Sequence, residues 1–224
     1  MSITRTSSPR IQEVDWKNLG FGKIFSDHML VMEYHNGAWQ QPKIQPYGPL
    51  LFSPAISALH YGQALFEGMK AYRNEKNEAY VFRPEENAHR LNVSASRLCM
   101  PTIPLELFMT CLHALVELDK AWIPTGKGEA LYIRPHMFAI DEYVGVKPSE
   151  SYMFVIFTCP VGNYYTSELK VRIEKNYTRA ANGGTGSAKA AGNYAAALLP
   201  TKKAQDEGFQ QILWTDAKTH EFLE

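Results

Sequence analysis

Apolar and polar positions alternate along the chain in blocks that predict a mixed helix and strand protein. Residues 1–16 are largely polar and are expected to form a loose arm. Residues 29–34, MLVMEY, read as a strand, and residues 37–49, rich in Gln, Pro and Gly, as a loop. Residues 67–73 and 78–83 are strand-like runs around a polar turn, so a hairpin is expected. Pro84 suits a first helical position, where its missing N–H costs little, and the helix should run to about Leu98. A second helix should run from near Pro104 to about Trp122, since Phe108, Cys111, Leu112, Leu115 and Val116 recur at helical spacing. Residues 130–138 and 152–159 read as strands, and the second is apolar enough for burial on both faces. Residues 161–169 look like a crossing segment between domains. A glycine-rich loop then leads into a helical stretch over residues 194–207, which Pro200 should kink or split and Gly208 should stop. Residues 209–215 and 220–224 read as strands. A pattern that stops inside a strand leaves an unpaired edge, so the chain is expected to be the N-terminal portion of a longer protein.

Composition narrows the class. Of 224 residues, 45% are hydrophobic and 21% charged, ordinary values for a globular protein. Lys+Arg and Asp+Glu both number 23, which argues against a nucleic-acid partner. No apolar run approaches the roughly 18 residues of a membrane span, and residues 1–16 lack the apolar centre of a secretory signal. Cys99, Cys111 and Cys159 form no C-x-x-C pair and are odd in number, so a reducing cytoplasm is expected and no metal site is read.

The stretch richest in chemistry is residues 181–197, ANGGTGSAKAAGNYAAA. Gly183, Gly184, Gly186 and Gly192 permit tight turns and close ligand approach. Lys189 stands alone among small residues, and a desolvated amine is neutral more readily and can attack an aldehyde to form a Schiff base. The alternative is a solvated loop lysine. A phosphate-cradling G-x-x-x-x-G-K-[ST] loop fails, because Ala188 and Ala190 flank the lysine. In Leu131-Tyr132-Ile133-Arg134-Pro135, strand alternation puts Tyr132 and Arg134 on one face. That pair could hold a carboxylate, or be an ordinary surface pair. Arg83 and Arg90 could each meet a phosphate or simply line a helix surface, and Tyr61 and Phe66 could be pocket walls or core packing.

Taken together and in order, these blocks resemble the branched-chain aminotransferases of fold type IV. The resembling blocks include ALHYGQALFEGMKAYR, VFRPEENAHRLNVSASRLCMP, LYIRPHMFA, FVIFTCPVGNYY and GSAKAAGNYAAALLPTKKAQDEGFQQILW, and they span nearly everything from Phe21 onward. The resemblance implies an α+β, two-domain enzyme of fold type IV. Residues 1–166 would form a small N-terminal α/β domain, 167–179 a linker and 180–224 the beginning of a larger cofactor-binding domain. It implies pyridoxal 5'-phosphate as cofactor, with Lys189 as the Schiff-base lysine and proton shuttle. Tyr194 would face the cofactor's phenolic oxygen, Arg90 its phosphate and Glu224 its pyridine nitrogen, unless the next residue of a longer chain does so. Phe21, Tyr61, Phe66, Tyr132 and Tyr164 would line the substrate pocket, and Arg134 would receive the distal carboxylate of glutamate or 2-oxoglutarate. The reaction implied is a ping-pong transamination of leucine, isoleucine and valine in a homodimer that meets only small amino acids and 2-oxo acids. The rivals are a D-amino-acid aminotransferase, an aminodeoxychorismate lyase and an inactive truncated homologue. Little activity is expected from 224 residues alone.

Overall fold

The computed structural model describes residues 1–163 and 168–224. Its elements run β1 (Ser2–Ile3), β2 (His28–His35), β3 (Ala38–Trp39), β4 (Lys43–Pro46), α1 (Ser57–Tyr61), β5 (Ala64–Phe66), β6 (Met69–Arg73) and β7 (Ala79–Val81). There follow α2 (Pro84–Arg97), α3 (Leu105–Leu118), β8 (Ala130–Ala139), β9 (Tyr152–Val161), β10 (Val171–Ile173), α4 (Ala191–Ala196), α5 (Leu198–Asp206) and β11 (Gln211–Leu213). The first nine strands form one sheet in the order β1-β4-β2-β9-β8-β6-β7, with β3 on β2 and β5 on β8. All its pairings are antiparallel except β1 with β4. Strands β10 and β11 pair in parallel as a separate ribbon.

The core follows from strand alternation. Leu30, Met32, Leu131, Ile133, Phe154 and Ile156 point to one face of the sheet and meet Leu91 of α2 and Phe108, Leu112 and Leu115 of α3. Met29, Val31, Met153 and Val155 point the other way, under Tyr47, Leu50 and Phe52. Strand β9 is therefore buried on both faces, which is why its sequence is almost wholly apolar. The hairpin forms as expected, with Ala71 opposite Val81 and the turn closed by Asn74 on Glu78. Helix α2 starts at Pro84, with Glu85 and Glu86 in its first turn where the helix dipole favours anions.

Strand β8 contains a proline although it is paired on both edges. The register that joins Phe66 to His136 also joins Met69 to Ile133, so β5 and β6 lie on one line. The line breaks at Glu67 and Gly68, opposite Pro135. Glu67 N–H still donates to the Pro135 carbonyl (2.8 Å), but Pro135 has no N–H to return. The missing rung opens the sheet at one point.

Several expectations need correction. Residues 1–16 are docked and not loose. Strand β1 pairs with β4, Thr6 N–H donates to His28 Nε2 (3.0 Å), and Ile11, Val14 and Trp16 pack on the core. Residues 37–49 hold two short strands, β3 and β4, because β2 needs partners for its free edge. The second helix ends at Leu118, and a separate 3₁₀ turn over Lys120–Trp122 brings Trp122 back to Asp27. The last helical stretch begins earlier, at Ala191, and splits at Ala197. Pro200 falls in the first turn of α5, where it displaces no hydrogen bond. Gly208 ends α5 at φ +86°, as its sequence suggests. Residues 220–224 are not a strand. The Asp216 carboxylate gathers the N–H groups of Lys218, Thr219, Glu221 and Phe222, and one isolated bridge joins Thr215 to Leu223. Those donors, Phe222 first, hold the Asp216 carboxyl below the usual carboxylate range.

A buried pair ties the docked arm to the sheet. His28 donates Nδ1–H to Asp119 Oδ1 (2.6 Å) and its backbone N–H to Asp119 Oδ2 (3.0 Å), while its Nε2 accepts from Thr6. The prediction is that Asp119→Ala strands two buried donors and costs about 2–6 kcal/mol, at about 1–3 for each donor left without an acceptor. Urea unfolding measures it; a loss below about 1 kcal/mol would mean that water replaces the carboxylate.

Candidate active site

The opening opposite Pro135 gathers the chemistry. Along β8, Leu131, Ile133 and Met137 are buried in the core, which forces Tyr132, Arg134 and His136 onto the opposite face. Arg134 Nη2 donates to Tyr132 Oη (2.9 Å), and its guanidinium carbon lies 4.3 Å from the centre of the Phe66 ring. Its Nε is buried and has no hydrogen-bond partner among the described residues. Gly68 makes room for the tyrosine, since a Cβ there would sit 2.2 Å from Tyr132 Oη. Phe21 packs edge-on against Tyr132 with ring centres 5.1 Å apart.

Lys189 arrives from the far end of the sequence and is held by its own backbone. Its carbonyl accepts the Phe66 N–H (3.1 Å), and Leu65 bridges to Ala190, so the segment lies along the edge of β5 that β8 leaves free. Its N–H donates to Ser94 Oγ (2.9 Å) on α2. Three residues further along α2, Arg97 donates to the Gly183 and Gly184 carbonyls (3.0 and 3.1 Å) and so holds the glycine loop. The Asn193 side chain ties Thr185 to Ala188 from within. The Lys189 amine then stands 2.6 Å from Tyr194 Oη and 4.5 Å from the centre of the Phe66 ring. The lysine is half-buried between aromatic rings, which differs from the desolvated setting its small neighbours suggest.

Arg90 completes the group. Its Nε and Nη2 form a fork on Glu67 (2.6 and 2.8 Å), and Glu67 is completely buried. These bonds hold the Arg90 guanidinium further above its ordinary range, against the opposing effect of burial, and the Tyr194 phenol adds to the effect.

Lys189, Tyr194, Phe66, Arg134, Tyr132 and Phe21 thus form one chain of contacts, with Arg90 beside it. Tyr61 does not join by any described contact; it ends α1, exposed, with its ring beside His60. Glu224 pairs with Arg179 (2.5 Å) and lines a separate groove with Gly183, Gly184 and Gly186. Tyr164 lies outside the described residues. Arg83, the other phosphate candidate, pairs with Glu86 at the helix surface. Sequence reasoning missed Glu67, Ser94, Arg97 and His136. Only Glu67 carried a signal, as a carboxylate inside the apolar run ALFEGM. No cluster of potential metal ligands occurs among the described residues, and no helix there is long and apolar enough to cross a membrane.

The site thus sets a lysine amine against a phenol with an arginine fork nearby, and comparison gives the family. The amino-transferase class IV family pattern matches residues 64–224, so the chain belongs to that family. It is 46% identical over 218 residues to branched-chain-amino-acid transaminase 1 of Bacillus subtilis (strain 168), covering 95% of this chain and 61% of that protein. Among solved structures, the Escherichia coli branched-chain amino acid aminotransferase aligns with a TM-score of 0.67 at 27% identity, over 83% of this chain and 60% of that one. The T.th. branched-chain amino acid aminotransferase with pyridoxamine 5'-phosphate aligns with a TM-score of 0.66 at 25% identity, over 84% and 60%. The α+β fold is that of fold type IV, and the chain spans about three fifths of the length of these relatives.

His136 shares the Arg134 face and donates Nδ1–H to the Leu65 carbonyl (2.9 Å), since a carbonyl can only accept. Burial, with Arg134 adding to it, pushes its pKa below 6.5. The folded state therefore takes up this proton at lower pH than the unfolded chain. Stability from this group is present above pH 6.5 and is lost as pH falls toward the folded value. Denaturation at pH 7.5 and 5.5 should show that loss, and His136→Asn, which keeps a donor at the Nδ1 position, should reduce it. An unchanged pH slope in the variant would assign the loss elsewhere.

Proposed function

We propose that the whole protein transfers the amino group of leucine, isoleucine or valine to 2-oxoglutarate, with pyridoxal 5'-phosphate as cofactor. The observation that carries this reading is the Lys189 amine 2.6 Å from the Tyr194 phenol, in a chain whose relatives are branched-chain aminotransferases. The donor set fits the cofactor: an amine for its aldehyde, a phenol for its ring oxygen and an arginine for its phosphate.

In this reading Lys189 Nζ holds the cofactor and then moves a proton at the substrate Cα as base and acid. Tyr194 Oη orients that amine and the ring oxygen beside it. Arg90 takes the phosphate, and Glu224 is the candidate for the pyridine nitrogen. The bound cofactor supplies the aldehyde and the electron sink that no side chain of this chain offers. Phe21, Phe66 and Tyr132 wall the substrate, and Tyr61 and Tyr164 are assigned to the same role by family resemblance alone. Burial against such walls stabilises a leucine-sized side chain by about 1.5–3 kcal/mol. Arg134, with its unpartnered Nε, supplies the polar alternative for the distal carboxylate of glutamate. The same pocket so serves both half-reactions. We assign residues 1–166 to a small domain, 167–179 to a linker and 180–224 to the start of the cofactor domain, in a cytoplasmic homodimer.

The test is reduction with borohydride in the presence of the cofactor, followed by mass spectrometry. The label should sit on Lys189 and vanish in Lys189→Ala. The same substitution in the full-length enzyme should lower turnover of leucine by about 10³-fold or more. A full-length protein that takes no label, or that prefers D-alanine over all three branched-chain substrates, would overturn the reading.

A further inference from the structure

We infer that Glu67 is a positioning residue for the phosphate end of the cofactor, acting through Arg90; the inference rests on the function proposed above. Glu67 is completely buried, yet nothing in the proposed chemistry uses it. A buried carboxylate is retained at a cost unless it is fully hydrogen-bonded, and this one is. Its oxygens accept from Arg90 Nε (2.6 Å), Arg90 Nη2 (2.8 Å), Asn87 Nδ2 (2.9 Å) and the Gly68 N–H (3.1 Å). Its place is set by the sheet, because its N–H is fixed on the Pro135 carbonyl at the missing rung.

Arg90 is the reverse case. Its side chain is 56% exposed and long enough to sample many rotamers in water. The fork on Glu67 removes that freedom and occupies one edge of the guanidinium. Nη1 makes no hydrogen bond among the described residues, so the free edge is presented in one orientation. Planar, bidentate pairing is what lets an arginine be aimed, where a lysine would only supply charge. The lysine end of the site is registered by the same helix, since Ser94 holds the Lys189 N–H one turn beyond Arg90. Glu67 thus completes a frame in which α2 carries both the arginine and the lysine contact.

Coulomb's law alone predicts the opposite outcome for removal of Glu67. Neutralising a carboxylate beside an arginine should strengthen the binding of an anion. The sign of the effect therefore separates aiming from charge.

The experiment compares pyridoxal 5'-phosphate with pyridoxal, which has the same aldehyde and ring and no phosphate. Affinities are read from absorbance changes in the full-length protein, wild type and Glu67→Gln, with circular dichroism as the folding check. Glu67→Gln should weaken binding of the phosphorylated form about tenfold, the loss of one charge-assisted contact, and leave pyridoxal within about twofold. Asn87→Ala, at a half-buried position, loosens Glu67 without changing charge and should give a smaller loss with the same selectivity; it carries the test if Glu67→Gln does not fold. Equal affinity of the wild type for the two compounds would overturn the reading of Arg90 as phosphate ligand. A wild type that prefers the phosphorylated form, with variants that keep or increase that preference, would overturn the role of Glu67 alone.

Discussion

The pairing of β8 on both of its edges constrains everything else. A strand held on both sides cannot rotate, so its ten residues keep strict alternation. Leu131, Ile133 and Met137 enter the core under α2 and α3, and Tyr132, Arg134 and His136 have no choice but the opposite face. A slip of one residue would reverse the two sets, burying an arginine and exposing the core, so the register is strongly specified. The polar face of the candidate site is thus a by-product of how the core is filled.

Pro135 sits within this strand where its missing donor faces β5 and β6. The gap it leaves costs one rung and gains a place where a buried carboxylate, a glycine and a phenol can converge. The Lys189 segment closes the arrangement from the other side by using both of its backbone groups, one on β5 and one on α2. Long-range backbone pairing places this lysine more firmly than side-chain contacts could, because the φ and ψ of the residue are fixed before its amine is aimed. Arg97 and Asn193 hold the glycine loop that makes such a close approach possible. Arginine, lysine and phenol interleaved with aromatic rings give a site able to hold an anionic group next to apolar surface.

Much of this was legible in the sequence, for local reasons. Apolar runs located β2, β8 and β9, helical spacing located α3, and Pro84 opened α2. Pro84 and Gly208 marked ends through backbone chemistry that needs no tertiary partner. The GSAKAAGNY block singled out Lys189 and Tyr194, and alternation in LYIRP paired Tyr132 with Arg134. The short strands β3 and β4 escaped because two to four residues carry no period, and the turn at residues 220–224 because its cause is one carboxylate, Asp216, collecting backbone donors.

What the sequence determined by itself is therefore the family, through the order of its blocks along the chain, and the main elements and residues with evident chemistry, which depend on neighbours within about a dozen positions. The tertiary structure alone decided that a polar arm docks through His28 and Asp119, that Arg90 is fixed by Glu67, 23 residues away, and that Lys189 is seated by Ser94, 95 residues away. Those pairings are set by sheet order and helix packing, and a carboxylate or a serine has no local pattern that announces which distant group it will meet.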